Sequence, residues 1–145
     1  MSELETYNRL RGPVTKFSDI LGYCITHIER NHDELKLYLG DAVYVHMYHQ
    51  QDCCEDVFIE DICGDLDDLV GSPLLQAEEV TNHDSGPLNE YDESYTWTFY
   101  KFATVNGSVT IRWYGSSNGY YSEYVDVRVV DDSKRKILTA GTPKY

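Results

Sequence analysis

The stretch Tyr95–Val130, YTWTFYKFATVNGSVTIRWYGSSNGYYSEYVDVRVV, constrains the fold more than any other part of the chain. Tyr, Trp, Phe, Val, Ile and Thr dominate it, the residues that suit a pleated, half-buried surface. Asn106-Gly107 breaks the run once and Gly115–Gly119 breaks it again. Asn-Gly between two alternating runs is a strong short-range hairpin signal. The pattern predicts three consecutive antiparallel strands, Tyr95–Thr104, Ser108–Tyr114 and Tyr120–Val130.

A two-residue turn at Asn106-Gly107 sets Val105 opposite Ser108, Thr104 opposite Val109, Phe102 opposite Ile111 and Tyr100 opposite Trp113. Those residues make one apolar face for a core. Trp97, Phe99 and Tyr114 fall on the other face, with Lys101 opposite Arg112. Like charges opposed in a ladder are destabilising, so this couple calls for something negative above it. Either a carboxylate from another segment or a bound anion between aromatic faces, such as a nucleotide, meets that need. For the third strand, a two-residue turn at Asn118-Gly119 sends Val125, Val127 and Val129 to the Arg112 side. An odd-length loop over Gly115–Gly119 sends them to the core, and the core pattern favours it.

The remaining segments read as short strands and turns. Ser2-Glu3-Leu4-Glu5 has capping-box form before a helix Glu3–Leu10, and Phe17–Gly22 reads as one helical turn with a glycine stop. Tyr23–Arg30 reads as a strand. Leu35–Leu39 and Val43–His49 alternate around Gly40–Ala42, which pairs Leu39 with Val43, Leu37 with Val45 and Leu35 with Met47. Lys36, Tyr38, Tyr44, His46 and Tyr48 then share the opposite face. Val57–Ile62 and Leu74–Val80 are further strands, Asp65 caps a short helix to Val70, and Asn82–Glu93 is a polar loop. The expected fold is α+β, mainly β: a curved antiparallel sheet of about eight strands built from hairpins, with two or three short helices. Residues 1–19 form an N-terminal extension, 20–130 one β-rich domain, and 131–145 a basic tail with Lys134, Arg135, Lys136 and Lys144.

The net charge of −13 is uneven: residues 41–93 hold fifteen Asp or Glu and no Lys or Arg. A single-sign field of that kind steers basic partners and argues against direct nucleic-acid binding through phosphates. Glu55, Asp56, Glu60, Asp61, Asp65, Asp67 and Asp68 are the expected acidic partner face. No run approaches the ~18 apolar residues of a membrane span, and Met1–Gly12 has no leader pattern, so the cytosol is the expected compartment and no membrane partner is expected. Thirteen tyrosines suit a binding surface and are compatible with a homo-oligomer.

Cys24, Cys53, Cys54 and Cys63 are expected as buried free thiols. The adjacent Cys53 and Cys54 match no common zinc spacing; convergence of His46, His49, Cys53, Cys54 and Cys63 on a metal, as in a metal-dependent hydrolase, is the weaker alternative. Phosphate loops, dinucleotide fingerprints and nucleophile elbows are absent, and Asp65-Leu66-Asp67-Asp68 lacks the glycine and terminal Glu of a calcium loop. A Cys–His nucleophile at Cys53 or Cys54 lacks a marked orienting group. No catalytic residues and no cofactor are therefore assigned.

Two uncommon strings remain: HQQDCCEDVFIEDICGDLDDLVGSP over His49–Pro73, and TIRWYGSSNGYYSE over Thr110–Glu123, with Trp97–Phe99 alongside. On these, the chain over about residues 20–127 resembles a small domain of unknown function found mostly in phages and prophages. The resemblance implies a phage accessory protein in the cytoplasm of an infected bacterial host, and by association one that opposes bacterial immunity. The leading expectation is a non-catalytic antagonist that binds a host defence component or sequesters a nucleotide-derived immune signal. Trp97, Phe99, Lys101, Arg112, Tyr114, Asn118, Tyr120 and Tyr121 are its ligand residues. The alternative is an acidic inhibitor, or DNA mimic, of a nuclease or effector.

Overall fold

A computed structural model describes residues 2–82 and 85–133. Helix α1 (Glu3–Leu10) is capped by the Ser2 hydroxyl, which accepts from the Glu5 amide at 3.1 Å. Strand β1 (Gly12–Pro13) and a 3-10 turn (Phe17–Ile20) follow. Then come β2 (His27–Asn31), β3 (Glu34–Tyr38), β4 (Val43–Tyr48) and β5 (Asp56–Cys63). A second 3-10 turn (Leu66–Leu69) is capped by Asp65, whose carboxylate accepts from the Asp67 amide at 3.0 Å. Strands β6 (Gln76–Asn82), β7 (Ser94–Thr104), β8 (Gly107–Ser117) and β9 (Asp126–Asp131) complete the described chain.

These strands form two antiparallel sheets rather than one curved sheet of eight. One has five strands in the order β1-β9-β4-β3-β2, the other four in the order β5-β8-β7-β6. Both contribute to one core. Leu35, Leu37, Val45, Met47, Val127 and Val129 come from the first sheet; Ala77, Tyr100, Phe102, Ile111 and Trp113 come from the second. The Phe17 ring bridges to Tyr100 at 5.2 Å. Residues 2–19 are built into the same unit: Glu3 accepts from the Val43 amide at 2.6 Å, and Gly12 pairs with Val129. The basic residues Lys134, Arg135, Lys136 and Lys144 lie outside the described residues.

The β3–β4 hairpin has the predicted register, with Leu37 opposite Val45 and Leu35 opposite Met47. Its outer face carries a ladder of rings: Tyr38 against Tyr44 at 5.0 Å and His46 stacked on Tyr48 at 4.2 Å. The β7–β8 hairpin differs from expectation by two residues. Thr104 is opposite Gly107, so Phe102 meets Val109, Tyr100 meets Ile111, and Val105-Asn106 forms the turn. The Thr104 hydroxyl, donating to the Asp68 carbonyl and accepting from the Asn106 amide, fixes this register. Gly107 has a positive φ of 156°, and a Cβ there would lie 2.6 Å from the Asp68 carboxylate, whose side chain would have to shift. A slip of two keeps every side chain on its face.

The third predicted strand does not pair with the second. β9 crosses to the other sheet and lies between β1 and β4, with Val129 opposite Val45 and Met47 opposite Val127. Asn118–Val125 is longer than the usual two- to five-residue hairpin loop. Val125, Val127 and Val129 are buried as the alternation requires. Alternation specifies a face, and either sheet satisfies it.

Candidate functional site

Trp97, Phe99, Lys101, Arg112 and Tyr114 do share the side of the four-stranded sheet turned away from the core, but the cationic couple does not form. Lys101 stands opposite Thr110 and, across the other ladder, Glu78; Arg112 stands opposite Phe99 and Asp61. The register breaks between Ile59 and Asp61, which makes Glu60 an extra residue in β5. Arg112 Nε donates to Glu60 at 2.5 Å, Nη2 lies 3.8 Å from Asp61, and the guanidinium sits over the Trp97 ring at 5.4 Å. The negative group over Arg112 is thus an internal carboxylate. Its side chain is 37% exposed, so the pair is solvent-screened. Arg112→Ala is expected to change unfolding free energy by about 1 kcal/mol or less in urea denaturation.

Nor are Trp97 and Tyr114 free to stack on a ligand, because both are buried. The 85–93 segment covers them: Trp97 Nε1 donates to the Gly86 carbonyl at 2.7 Å, and the Tyr114 hydroxyl donates to Asp92 at 2.5 Å. Burial, then the Asp92 hydrogen bond, pushes the Tyr114 phenol up to about 12.

The first uncommon string folds around Glu55. Its side chain has no exposed surface, so it belongs to no partner face. The carboxylate accepts from His49 Nε2 at 2.8 Å, Cys53 N at 2.8 Å, Asp52 N at 3.0 Å and Gln51 Nε2 at 3.1 Å. His49 Nδ1 lies 2.8 Å from the Tyr124 carbonyl. Both partners of the ring are acceptors, so this geometry favours the doubly protonated imidazolium form of His49. Burial pushes the ring down, but the Glu55 hydrogen bond, the Tyr124 carbonyl and the Glu55 and Asp126 charges outweigh it and the net shift is upward. Chiefly through His49, against burial, and helped by the Cys53 and Asp52 amides, Glu55 is held down at about 2.

The second string folds around Glu123. Its buried carboxylate accepts from Thr96 Oγ1 at 2.8 Å and Ser117 Oγ at 2.5 Å. Where the Glu123 backbone crosses β8, a Cβ on Gly115 would stand 2.2 Å from the Glu123 carbonyl oxygen. Sequence reasoning took Gly115 as a turn residue and missed both Glu123 and the His49–Glu55–Tyr124 link. A glycine inside an apolar strand pattern is itself a signal of close backbone approach.

These two folded strings meet at one end of the four-stranded sheet, where Asp56 pairs with Ser116. Between them lies a cleft of about 230 Å³ lined by Cys54, Tyr91, Glu93, Ser117, Asn118 and Tyr121, among others. Of the predicted ligand residues, Asn118 and Tyr121 line it. Tyr120, 88% exposed, adjoins Tyr121 in sequence, whereas Phe99, Lys101 and Arg112 do not line it. A larger cavity, about 570 Å³, lies between Pro13–Thr15, β9 and Glu79 and takes in none of the predicted ligand residues.

Asp56, Asp61, Asp65 and Asp67 are exposed, whereas Glu60 and Asp68 are half-buried. Cys53 and Cys54 are joined in a disulfide, and Cys24 and Cys63 are exposed, which corrects the expectation of buried free thiols. Adjacent sulfurs need no distant chain closure to meet. The proposed metal convergence does not form: His49 spends both nitrogens on Glu55 and Tyr124, His46 lies beside Glu34 at 3.2 Å, and Cys63 donates to Asp61. That bond to Asp61 pushes the Cys63 thiol up. Among the described residues no group of three or more His, Cys, Asp or Glu is arranged to hold a metal, and no helix is long and apolar enough to cross a membrane.

A family described as a domain of unknown function (DUF7448) matches residues 18–127. No curated protein and no solved structure matches the chain.

Proposed function

We infer a binding role for this chain, which belongs to the DUF7448 family of domains of unknown function. It acts without catalysis, by stoichiometric docking of its four-stranded sheet on a basic surface of a bacterial defence component. The observation that carries this reading is where the charge sits. Residues 52–117, the four-stranded sheet with its loops, hold fourteen Asp and Glu against Lys101 and Arg112 alone, a balance of −12 within the chain's −13. One of those two cations is already tied to Glu60. A low-dielectric body with one such charged half attracts a cationic partner and fixes its orientation. The setting, a phage gene acting in the cytoplasm of an infected host, comes from the resemblance of the two strings.

The nucleotide-sequestering version has less support, since Lys101 and Arg112 do not face each other and the stacking rings are covered. The test is capture from bacterial lysate at roughly 0.05 M and 0.5 M salt. The expected result is a basic protein held at low salt and lost at high salt, and weakened by joint Asp67→Asn, Glu78→Gln and Glu90→Gln, all exposed positions. Capture that ignores both salt and these substitutions overturns the reading.

A further inference from the structure

We propose that the cleft between the two uncommon strings is the anchor of this docking surface and takes an arginine side chain of the partner. The inference rests on the binding role argued above and names its contact point. Size comes first. A space of about 230 Å³ lies below the ~300–1,000 Å³ of small-molecule sites, and suits one side chain better than a nucleotide. Its chemistry selects the side chain. Tyr91 and Tyr121 offer ring faces, Asp92 and Glu93 offer carboxylates, and Ser117 and Asn118 offer neutral polar atoms. A guanidinium is planar, stacks on aromatic rings and meets carboxylates in a fork, which an ammonium does not.

Exposure points the same way. Leu88 is 50% exposed, Tyr91 81%, Tyr120 88% and Tyr124 51%, and all four belong to the segments that form or adjoin this end of the sheet. Tyrosine and arginine are both enriched at protein–protein hot spots. Parts of the wall are tied down by hydrogen bonds, as an anchor pocket requires. Glu55 holds the Cys53–Cys54 side, Glu123 holds Ser117, and Asp92 is fixed by the Tyr114 hydroxyl. A second copy of this chain is a poor occupant, because two bodies of charge −13 repel.

The experiment is a titration of isotope-labelled protein, followed by amide chemical shifts, with N-acetyl-arginine amide, N-acetyl-lysine amide and a tetra-arginine peptide. Shifts are expected to concentrate on Cys54, Glu93 and Ser117–Tyr121, and to be larger with the arginine than with the lysine amide. The double variant Tyr91→Ala, Glu93→Gln alters two exposed side chains and is expected to weaken tetra-arginine binding at least fivefold. Shifts spread over Asp65–Asp68 and Glu78–Glu79, with the double variant unchanged, overturn the anchor while salt-sensitive lysate capture still upholds the docking role. A dimer in solution that dissociates on Tyr91→Ala assigns the cleft to a second copy and also overturns it. If capture itself proves insensitive to salt, the underlying docking role fails instead.

Discussion

Gly115→Ala is expected to destabilise the fold at or above the top of the roughly 1–3 kcal/mol that overpacking costs. The new methyl carbon would meet the Glu123 carbonyl oxygen at 2.2 Å and its carbon at 3.0 Å. These are backbone atoms, so no side-chain rotation relieves the clash. The loop through Glu123 must lift off β8, which breaks the carboxylate's bonds to Thr96 and Ser117. Urea denaturation measures the loss. Gly119→Ala is the comparison: its Cβ meets nothing within 4 Å, and only the positive φ of 94° opposes it, so its cost is expected near 1 kcal/mol. Equal effects at the two positions would show that the close crossing is not what restrains Gly115.

Glu55→Ala is the second large effect expected. It strips one acceptor from four donors and leaves a protonated ring without its counter-ion. The thermal midpoint is expected to fall by roughly 10 °C or more. Glu55→Gln keeps the shape yet removes the charge, so His49 loses its reason to hold two protons. The pH dependence follows from the two shifts. The raised His49 contributes stability that is fully present below its ordinary 6.5 and is lost as pH rises through the raised value. The depressed Glu55 contributes stability that is present above its ordinary 4.5 and is lost as pH falls towards about 2. The link is therefore strongest between about pH 4.5 and 6.5. His49→Gln is expected to flatten the alkaline limb of a melting-temperature profile. An unchanged alkaline limb would place the proton elsewhere.

Local rules carried the local structure. Ser2 before Glu5 marked the helix start, and the Leu35–Met47 alternation set the β3–β4 register without error. What the alternation of Val125, Val127 and Val129 does not encode is which sheet receives them, since a buried strand satisfies either neighbour. The Asn106-Gly107 signal located its turn but not its register, because the deciding partner, Asp68, is thirty-six residues upstream of Thr104. The candidate site was legible only in part. Asn118, Tyr120 and Tyr121 stand at or beside the cleft. Arg112 was singled out for a charge conflict that the observed register removes, since it stands opposite Phe99 and not Lys101. Its carboxylate partner Glu60 sits at a bulge, which leaves no mark in composition or period.

The position of β9 has a consequence for how the protein is made. β4 leaves its edge unpaired until a strand eighty residues later has been synthesised. During translation, the emerging polypeptide carries a bare strand rich in Val and Tyr, the kind of edge that recruits other chains. Termination or proteolysis ahead of Asp126 would leave that edge permanently open, and such fragments would accumulate as insoluble material rather than as a smaller folded protein.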